Sequence, residues 1–433
     1  MLVGDRCRIR RHDPETRPLK RAAFWALLVT LIAYQPIATD TYLPALPAIA
    51  RAFATDAAMV QWTISAFFLG IASAQLFYGP LSDRFGRKPI LMIGVAIFLA
   101  GSIACLFATT IETLIVARFF QAIGCCAGPT ISRAVVRDVF AREHAARALA
   151  YLGAAMGFIP ALAPIVGGFL LTTFDWRAIF IMMMVVAGLT LFALVGLFHE
   201  TNTEPDPHAL NLKRMAANYR EMLGERAFMG FALTAAFSIG GLVMFLSGSP
   251  HVLITGHGVA PDVYGYYFAV IVLSYTIGTL AAGKLTIRLG IERMVLIGAL
   301  VGSLAGILQA ALAWAGGTSI LSLLGPQALY MICLGIVLPN ALAGAIGPYS
   351  TKAGAASALL GFIQLTIAAA VTIGVAYAFG WTQRSMATGL AIMSTAALFF
   401  FSTLAWRVRD RTVLDPAEAR ATESVYTIGR RPG

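Results

Sequence analysis

The sequence predicts an all-α polytopic membrane protein whose twelve transmembrane helices form two six-helix pseudo-repeat halves. Composition is the first reason, because 58% of the 433 residues are hydrophobic and only 12% are charged. A soluble chain carries about 25% charged residues, and the mean hydropathy of +0.77 agrees with a membrane location. The second reason is the length of the apolar stretches. The third is a charged loop that occurs once in each half of the chain.

Twelve apolar stretches are each long enough to cross a bilayer, which takes roughly 20 residues of helix. They lie near 22–43, 57–78, 89–109, 112–134, 146–172, 176–198, 227–253, 263–283, 293–314, 320–343, 354–379 and 385–406. Their continuous apolar character excludes a closed barrel, whose strands alternate in polarity over about 10 residues. The first stretch is too long for the apolar core of a signal peptide and contains Pro36 and Asp40. We therefore interpret it as an uncleaved span.

The second and third stretches are separated by the loop Gly79-Pro-Leu-Ser-Asp83-Arg-Phe-Gly86-Arg87-Lys88. A degenerate copy of this loop follows 204 positions later, in which Gly79, Leu81, Arg84 and Gly86 recur as Gly283, Leu285, Arg288 and Gly290. One interpretation is a turn whose flanking charges only orient the helices. The two glycines and Asp83 are not needed to orient the helices, however, and this interpretation leaves them unexplained. A duplicated membrane domain with such loops is typical of secondary transporters.

The basic residues follow the topology of the predicted spans. With both termini in the cytoplasm, 28 of the 32 Lys and Arg residues fall on the inner side, and Arg51, Arg177 and Arg384 fall on the outer side. The remaining one, Arg118, lies within a span. This asymmetry predicts a multi-pass protein of a cell membrane, the inner membrane in bacteria. It also accounts for the net charge of +11, so we expect the lipid bilayer as surroundings and no nucleic-acid partner.

Five segments follow from the spans and the polar stretches between them. We predict a basic cytoplasmic tail at 1–21, a first six-helix half at 22–198, a cytoplasmic linker at 199–226, a second half at 227–407 and a cytoplasmic tail at 408–433.

Several kinds of site are excluded by the spacing of their residues. The five cysteines and six histidines form no zinc or disulfide pattern. Residues 278–284 nearly match a phosphate-binding loop, but Leu285 stands where that motif needs Ser or Thr. The segment also ends a spanning helix, with no strand before it. We therefore expect no ATP, no metal and no cofactor, and we expect the chain to be no enzyme, because no nucleophile–base pair is present.

Two ionisable residues lie within the predicted spans of the first half. Asp40 stands near the outer end of the first span, where it either caps the helix at the interface or gains and loses a proton during transport. Arg118 lies about six residues into the fourth span, on the same helical face as Gln121 and Cys125. It either extends to the outer interface or faces a packed polar site. A charge inside the membrane costs about 2.5–3.5 kcal/mol, which favours a functional role for both residues.

Other polar and aromatic residues within the spans predict a substrate cavity. The second span carries the stripe Gln61, Ser65, Phe68, Ala72 and Gln75 in steps of three and four. The second half carries no obvious acid within its spans. The predicted cavity residues are Tyr34, Gln61, Ser65, Phe68, Gln121, Cys125, Phe237, Phe245, Tyr330, Asn340 and Gln364.

Small residues and prolines predict close packing and a bend. Gly124 with Gly128, and Gly153 with Gly157, form G-x-x-x-G pairs, which let two helices approach. Pro160, Pro164, Gly167 and Gly168 follow in the fifth span, where they favour a bend.

These motifs resemble those of the major facilitator superfamily over about residues 20–407. The loop from Gly79 to Lys88 is similar to that superfamily's loop between the second and third spans, and Arg118-x-x-Gln121-x-x-Gly124 resembles its fourth-span motif. The Pro160…Pro164…Gly167-Gly168 segment resembles the antiporter motif of drug:proton exporters. Residues 40–47, Asp-Thr-Tyr-Leu-Pro-Ala-Leu-Pro, resemble the first-span motif of the bicyclomycin/chloramphenicol (Bcr/CflA) type with twelve spans.

The resemblance implies export of drugs or other small amphipathic compounds, driven by the proton gradient through alternating access of the two halves. Asp40 and Arg118 would couple the proton. A cytoplasmic latch against the other half would comprise Gly79, Asp83, Arg84, Gly86, Arg87, Lys88 and Asp138. The partners expected are the substrate and protons, and we expect a monomer. The alternative is a metabolite carrier of the same superfamily, such as an amino-acid or peptide exporter or a nutrient symporter.

One position departs from the pattern of related multidrug exporters. Some of them carry a second acid about two turns before the first-span Asp, and this sequence has Ile32 there. A cationic drug needs a buried negative partner, so the departure favours neutral or zwitterionic substrates.

Overall fold

The structure is a computed structural model and describes residues 18–140, 142–317 and 319–406. The predicted tail at 408–433 and most of the predicted tail at 1–21 lie outside the described residues. The α-helices are α1 (Pro18–Asp40), α2 (Leu46–Ala52), α3 (Ala57–Phe85), α4 (Arg87–Leu106), α5 (Ile111–Val139), α6 (Arg142–Thr173), α7 (Arg177–Leu197), α8 (Leu212–Gly224), α9 (Arg226–Pro250), α10 (Pro261–Leu289), α11 (Ile291–Trp314), α12 (Ile320–Ile346), α13 (Ala353–Phe379) and α14 (Gln383–Phe400). Short 3₁₀ turns occupy Leu43–Ala45 and Gly347–Lys352, and π-helical turns occupy His251–Gly256 and Phe401–Ala405.

Twelve helical segments in the described part of the chain are long and apolar enough to cross a membrane. This confirms the predicted all-α fold and the number of spans. Helix α2 continues the first span, which runs over Ala22–Ala52. Helix α8 is the additional element and lies within the predicted linker, where the Asn211 side chain accepts a hydrogen bond from the Arg214 N–H at 3.1 Å.

The helices group into two compact units. Within the described residues, the first unit comprises 18–210 together with Val259–Ala269, and the second comprises Asn211–Gly258 and 270–406. The first turns of α10 therefore pack within the first unit. There, a Cβ atom on Gly265 would lie 2.6 Å from the backbone nitrogen of Ile165 in α6, so glycine allows the two backbones to touch.

Close helix contacts in the first unit depend on glycine. A Cβ atom on Gly124 of α5 would lie 2.5 Å from the Gly94 carbonyl oxygen and 2.8 Å from the Phe98 Cα atom, both in α4. Gly128 approaches the Leu31 carbonyl of α1 in the same way. The packing predicted for this glycine pair is confirmed. At Gly153 in α6, no heavy atom of the described residues lies within 4 Å of the Cβ position, so close packing is not seen there.

Capping residues define the ends of helices α3 and α5. Asp56 caps the start of α3, where its carboxylate accepts the Met59 N–H at 2.7 Å, and α5 begins with a capping box between Thr110 and Thr113. Gly86 follows the last residue of α3, has a φ of 96° and leads directly into α4. Glycine adopts this angle at no steric cost.

We predict that Gly124→Ala destabilises the protein by about 1–3 kcal/mol, the usual cost of forcing a methyl group into a packed contact. Gly188→Ala in α7 is the matched control, because its Cβ position has nothing within 4 Å. The midpoint of thermal unfolding in detergent should fall for the first variant. It should stay level or rise for the second, since Ala favours helix. Equal midpoints would contradict the packing account.

Candidate functional site

Arg118 of α5 is the largest side chain in the first unit that is fully buried, with 0% exposure. Its guanidinium carbon lies 4.5 Å from the ring centroid of Tyr42 and 4.2 Å from that of Phe67. Two aromatic rings on a desolvated cation contribute about 2 kcal/mol or more. The side chain therefore does not extend to the membrane surface, which excludes the first of the two interpretations offered by the sequence.

A chain of hydrogen bonds continues from Arg118 into the neighbouring helices. Its Nη1 donates to Gln121 Oε1 at 2.6 Å, and Gln121 Nε2 donates to Ser102 Oγ of α4 at 2.8 Å. Gln121 Nε2 also lies 3.4 Å from the Met183 sulfur of α7. Gly101 makes the contact possible, because a Cβ atom there would lie 2.6 Å from the Gln121 Cα atom.

The guanidinium keeps unused hydrogen-bonding capacity. Within the described residues, neither Nε nor Nη2 of Arg118 has a hydrogen-bond partner, although both atoms are buried. A buried cation without a carboxylate partner is costly, and each buried N–H without an acceptor adds about 1–3 kcal/mol. The site therefore favours an incoming acceptor, such as a carboxylate or a polar group of a ligand.

Asp40 is the last residue of α1 and is 7% exposed. The Thr39 hydroxyl lies 2.8 Å from its Oδ1 atom. In the described part of the chain, no Lys, Arg or His nitrogen lies within 4.0 Å of this carboxylate, so the structure does not pair Asp40 with Arg118. The two residues are linked through Tyr42, which follows Asp40 by two positions and stacks on Arg118. The Tyr42 hydroxyl donates to Thr63 Oγ1 of α3 at 2.9 Å.

The predicted antiporter motif lies beside Asp40. Helix α6 runs through Pro160 and Pro164 without a break. Gly167 of this helix meets the backbone carbonyl of Thr41, the residue after Asp40, so closely that a Cβ atom there would collide with it. Gly168 meets the Pro261 carbonyl in the same manner. The motif thus brings α6 against the backbone that carries the acid.

The charged loop between α3 and α4 forms the second candidate site. Arg87 Nη1 contacts Asp83 Oδ1 at 2.5 Å and Ser82 Oγ at 2.7 Å, and its Nε contacts Asp138 Oδ2 at 2.9 Å. Arg87 is only 7% exposed. The structure therefore brings together Asp83, Arg87 and Asp138, three of the residues that the family resemblance implies for the latch.

The other predicted latch residues have separate roles. Lys88 Nζ donates to the Val195 carbonyl at the end of α7 at 3.2 Å, and the Arg84 guanidinium lies 5.2 Å from the Phe85 ring centroid. Gly79 has nothing within 4 Å of its Cβ position. Gly86 supplies the positive φ of the turn.

The predicted cavity residues of the first unit are all buried. Gln61, Ser65 and Phe68 follow one face of α3 and are all buried. Tyr34 of α1 stacks on Phe98 with ring centroids 4.7 Å apart. Cys125 lies on α5 two turns from Arg118 and is buried.

The predicted cavity residues of the second unit form no comparable charged site. In the described part of this unit, no Asp, Glu, Lys or Arg is buried. Tyr330 donates to the Ser238 carbonyl at 2.6 Å, and Asn340 Oδ1 accepts from Thr286 at 2.9 Å. Phe237 stacks on Phe400 with centroids 5.1 Å apart. Phe245 is buried, whereas Gln364 is half-buried and its Nε2 atom has no partner among the described residues.

Sequence reasoning missed several residues that complete the Arg118 site: Tyr42, Thr63, Phe67, Ser102 and Met183. Tyr42 had a signal, since it lies in the motif that follows Asp40. Phe67 had none, because aromatic residues are common throughout the spans. The described residues contain no cluster of three or more His, Cys, Asp or Glu side chains that could hold a metal.

Comparison with known proteins agrees with this architecture. The model of the Major Facilitator Superfamily matches residues 26–374. The chain is 30% identical over 370 residues to the "Uncharacterized MFS-type transporter YdgK" of Bacillus subtilis, covering 83% of this chain and 90% of that protein. It is 29% identical over 343 residues to the "Bicyclomycin resistance protein homolog" of Haemophilus influenzae, covering 77% of this chain and 84% of that one.

The fold has also been seen in solved structures. The crystal structure of peptide transporter POT in complex with sulfate superimposes with a TM-score of 0.73 at 13% identity, covering 89% of this chain and 94% of the other. At that identity the likeness concerns the fold alone. The match of the superfamily model over most of the chain is decisive: the chain belongs to the Major Facilitator Superfamily.

Proposed function

We propose that this chain is a secondary transporter that exports drugs or other small amphipathic compounds in exchange for protons. The observation that carries the proposal is the buried site of the first unit. There, two guanidinium nitrogens of Arg118 have no acceptor among the described residues, and Asp40, two residues before Tyr42, has no cation within 4.0 Å. Ionisable groups within a membrane span that lack such partners cost free energy, and they mark ion or substrate pathways.

The name of a relative also supports outward transport. The Haemophilus influenzae relative is named for bicyclomycin resistance, and a compound is resisted by a transporter when it is carried outward. The second candidate is a metabolite carrier of the same superfamily, an amino-acid or peptide exporter or a nutrient symporter. The placement of Gly167 against Thr41 favours the exporter, because this glycine belongs to the antiporter motif.

Asp40 and Arg118 have different tasks in this proposal. Asp40 takes up a proton from the outer side and releases it toward the cytoplasm as its surroundings change during alternating access. Arg118 holds a fixed positive charge close to Tyr42, and through Tyr42 it influences the segment that carries Asp40. An anionic Asp40 favours the approach of this charge, and a neutral Asp40 does not.

The charge of the buried groups suggests the substrate class. Asp40 is the single buried carboxylate among the described residues, and the position two turns before it holds the buried Ile32. A cationic substrate would compete with the proton for Asp40. Neutral or zwitterionic compounds leave this carboxylate free for the proton, so we propose them as the main substrates.

The proton gradient supplies enough free energy for this task. One proton that moves down 100 mV releases about 2.3 kcal/mol. Since about 1.4 kcal/mol corresponds to a factor of ten, one proton sustains a substrate gradient of a few tens. The proposal needs neither ATP nor a cofactor. It places the chain in a bacterial inner membrane as a monomer with two six-helix halves and both termini in the cytoplasm.

Asp40→Asn should abolish substrate-driven proton movement, because an amide cannot exchange a proton in the working pH range. The measurement uses everted membrane vesicles acidified inside by respiration, with a pH-sensitive dye. Phenicols, bicyclic antibiotics, dyes and amino acids are added one at a time. The proposal predicts that a subset dissipates the gradient in the native protein and none does in the variant. A response to amino acids alone would favour the metabolite carrier, and a full response in Asp40→Asn would overturn the assignment of the proton site.

Arg118→Lys should reduce transport by about tenfold to a hundredfold, since a hydrogen bond to a charged group is worth about 1.5–3 kcal/mol. Lysine keeps the charge but loses the planar group that lies between Tyr42 and Phe67 and reaches Gln121. Arg177→Lys is the matched control, because Arg177 also stacks on an aromatic ring, that of Trp176, at 4.3 Å, but at the start of α7 and outside the site. If both variants transported at the native rate, Arg118 would have no role beyond its charge.

A further inference from the structure

We propose that Glu200, in the segment that follows α7, is a positioning residue that holds the Asp83–Arg87–Asp138 cluster in place. Glu200 belongs to the linker and was assigned no role by the sequence analysis. The kinetic consequence of this proposal rests on the transport function proposed above, whereas its structural consequence does not.

The Glu200 carboxylate binds the first backbone N–H groups of α4. Its Oε1 accepts the Arg87 N–H at 2.8 Å, and its Oε2 accepts the Lys88 N–H at 3.0 Å. The first N–H groups of a helix have no partner within the helix, and the positive end of its dipole favours an anion. Oε1 also accepts the N–H groups of Thr201 at 3.0 Å and Asn202 at 2.8 Å, which folds the linker around the same carboxylate.

Gly86 leaves room for the Glu200 carboxylate because it has no Cβ atom. A Cβ atom at this position would lie 2.5 Å from the Glu200 Oε2 atom. The residue also needs the φ of 96° that turns α3 into α4. Glycine thus serves both the turn and the space that the carboxylate occupies.

The residues after Glu200 bind the other side of the loop. Asn202 Nδ2 donates to the Asp83 carbonyl at 2.9 Å, and the Asp206 N–H donates to the same carbonyl at 3.1 Å. This carbonyl belongs to the last turn of α3, where helical partners are missing. The Thr201 hydroxyl lies 3.4 Å from Asp138 Oδ2, the oxygen that also accepts from Arg87. The linker therefore caps the end of α3 and the start of α4 together.

The consequence concerns Arg87. Its backbone nitrogen is fixed by Glu200, and its side chain is fixed by Asp83 and Asp138. If the backbone anchor is lost, the guanidinium can no longer meet both carboxylates at the present distances. Glu200 would then act on transport through Arg87 and not by touching the substrate.

Hydrogen exchange of the purified full chain tests the structural part. In Glu200→Gln, one carboxylate oxygen is replaced by an NH₂ group that faces backbone donors. The amides of Arg87 and Lys88 should therefore exchange about tenfold faster or more. Glu204→Gln is the matched control, because Glu204 is an exposed carboxylate of the same linker. Unchanged exchange at Arg87 and Lys88 in Glu200→Gln would overturn the proposal.

A second variant covers the case in which Glu200→Gln does not fold. Glu200→Asp keeps the charge but is one methylene shorter, so the carboxylate cannot reach the start of α4 in the same way. It should speed exchange at the same two amides and leave the amides in the middle of α4 protected. Native exchange rates in the folded Glu200→Asp protein would equally overturn the proposal.

A double-variant measurement distinguishes positioning from general stabilisation. Glu200→Gln should lower the turnover rate about tenfold and leave KM unchanged. In the Arg87→Ala background it should cause no further loss. Losses that multiply would show that Glu200 does not act through Arg87. A native protein without any transport would reject the proposed function while the exchange result still decided the role of Glu200.

Discussion

The burial of Arg118 is the constraint on which the first unit depends. A cation that is fully removed from water is tolerated only if its surroundings replace the lost hydration. Here the rings of Tyr42 and Phe67 lie against the guanidinium, and Gln121 supplies a hydrogen bond. These partners come from three separate parts of the chain, so the cation fixes the positions of several helices together. The two guanidinium nitrogens that have no acceptor among the described residues leave the site incomplete and open to a ligand or a change of state.

Small residues bring the helices close enough to build this site. Gly101 lets α4 touch the backbone of Gln121, and Gly124 lets α5 touch α4 further along. Gly167 places α6 against Thr41, beside the acid. At the other end of the same helices, the Arg87 cluster connects α3, α4 and α5 through short polar contacts. One end of the unit is thus arranged around a cation without an acid, and the other around a cation with two acids.

The sequence predicted the twelve spans, because length and apolar composition decide whether a helix crosses a membrane. Its resemblance to the superfamily implied that Asp83, Arg87 and Asp138 belong to one latch, and the structure brings their side chains into contact. The sequence could not predict the aromatic partner Phe67, which looks like any other apolar residue of a span. Nor could it predict Glu200, whose role depends on the linker folding back onto the loop. The degenerate copy of the loop in the second half keeps the turn but not the charges. Gly290 has a positive φ of 82°, whereas Ile287 and Ile291 occupy the positions that correspond to Asp83 and Arg87.

The most direct test of the account is the release of protons when substrate binds to the purified protein in a weakly buffered detergent solution. A substrate found in the vesicle assay is titrated into the native protein and into Asp40→Asn, while binding is followed by calorimetry. The account predicts that the native protein releases protons on binding, and that Asp40→Asn still binds but releases none. Equal proton release by both proteins would contradict the assignment of proton exchange to Asp40.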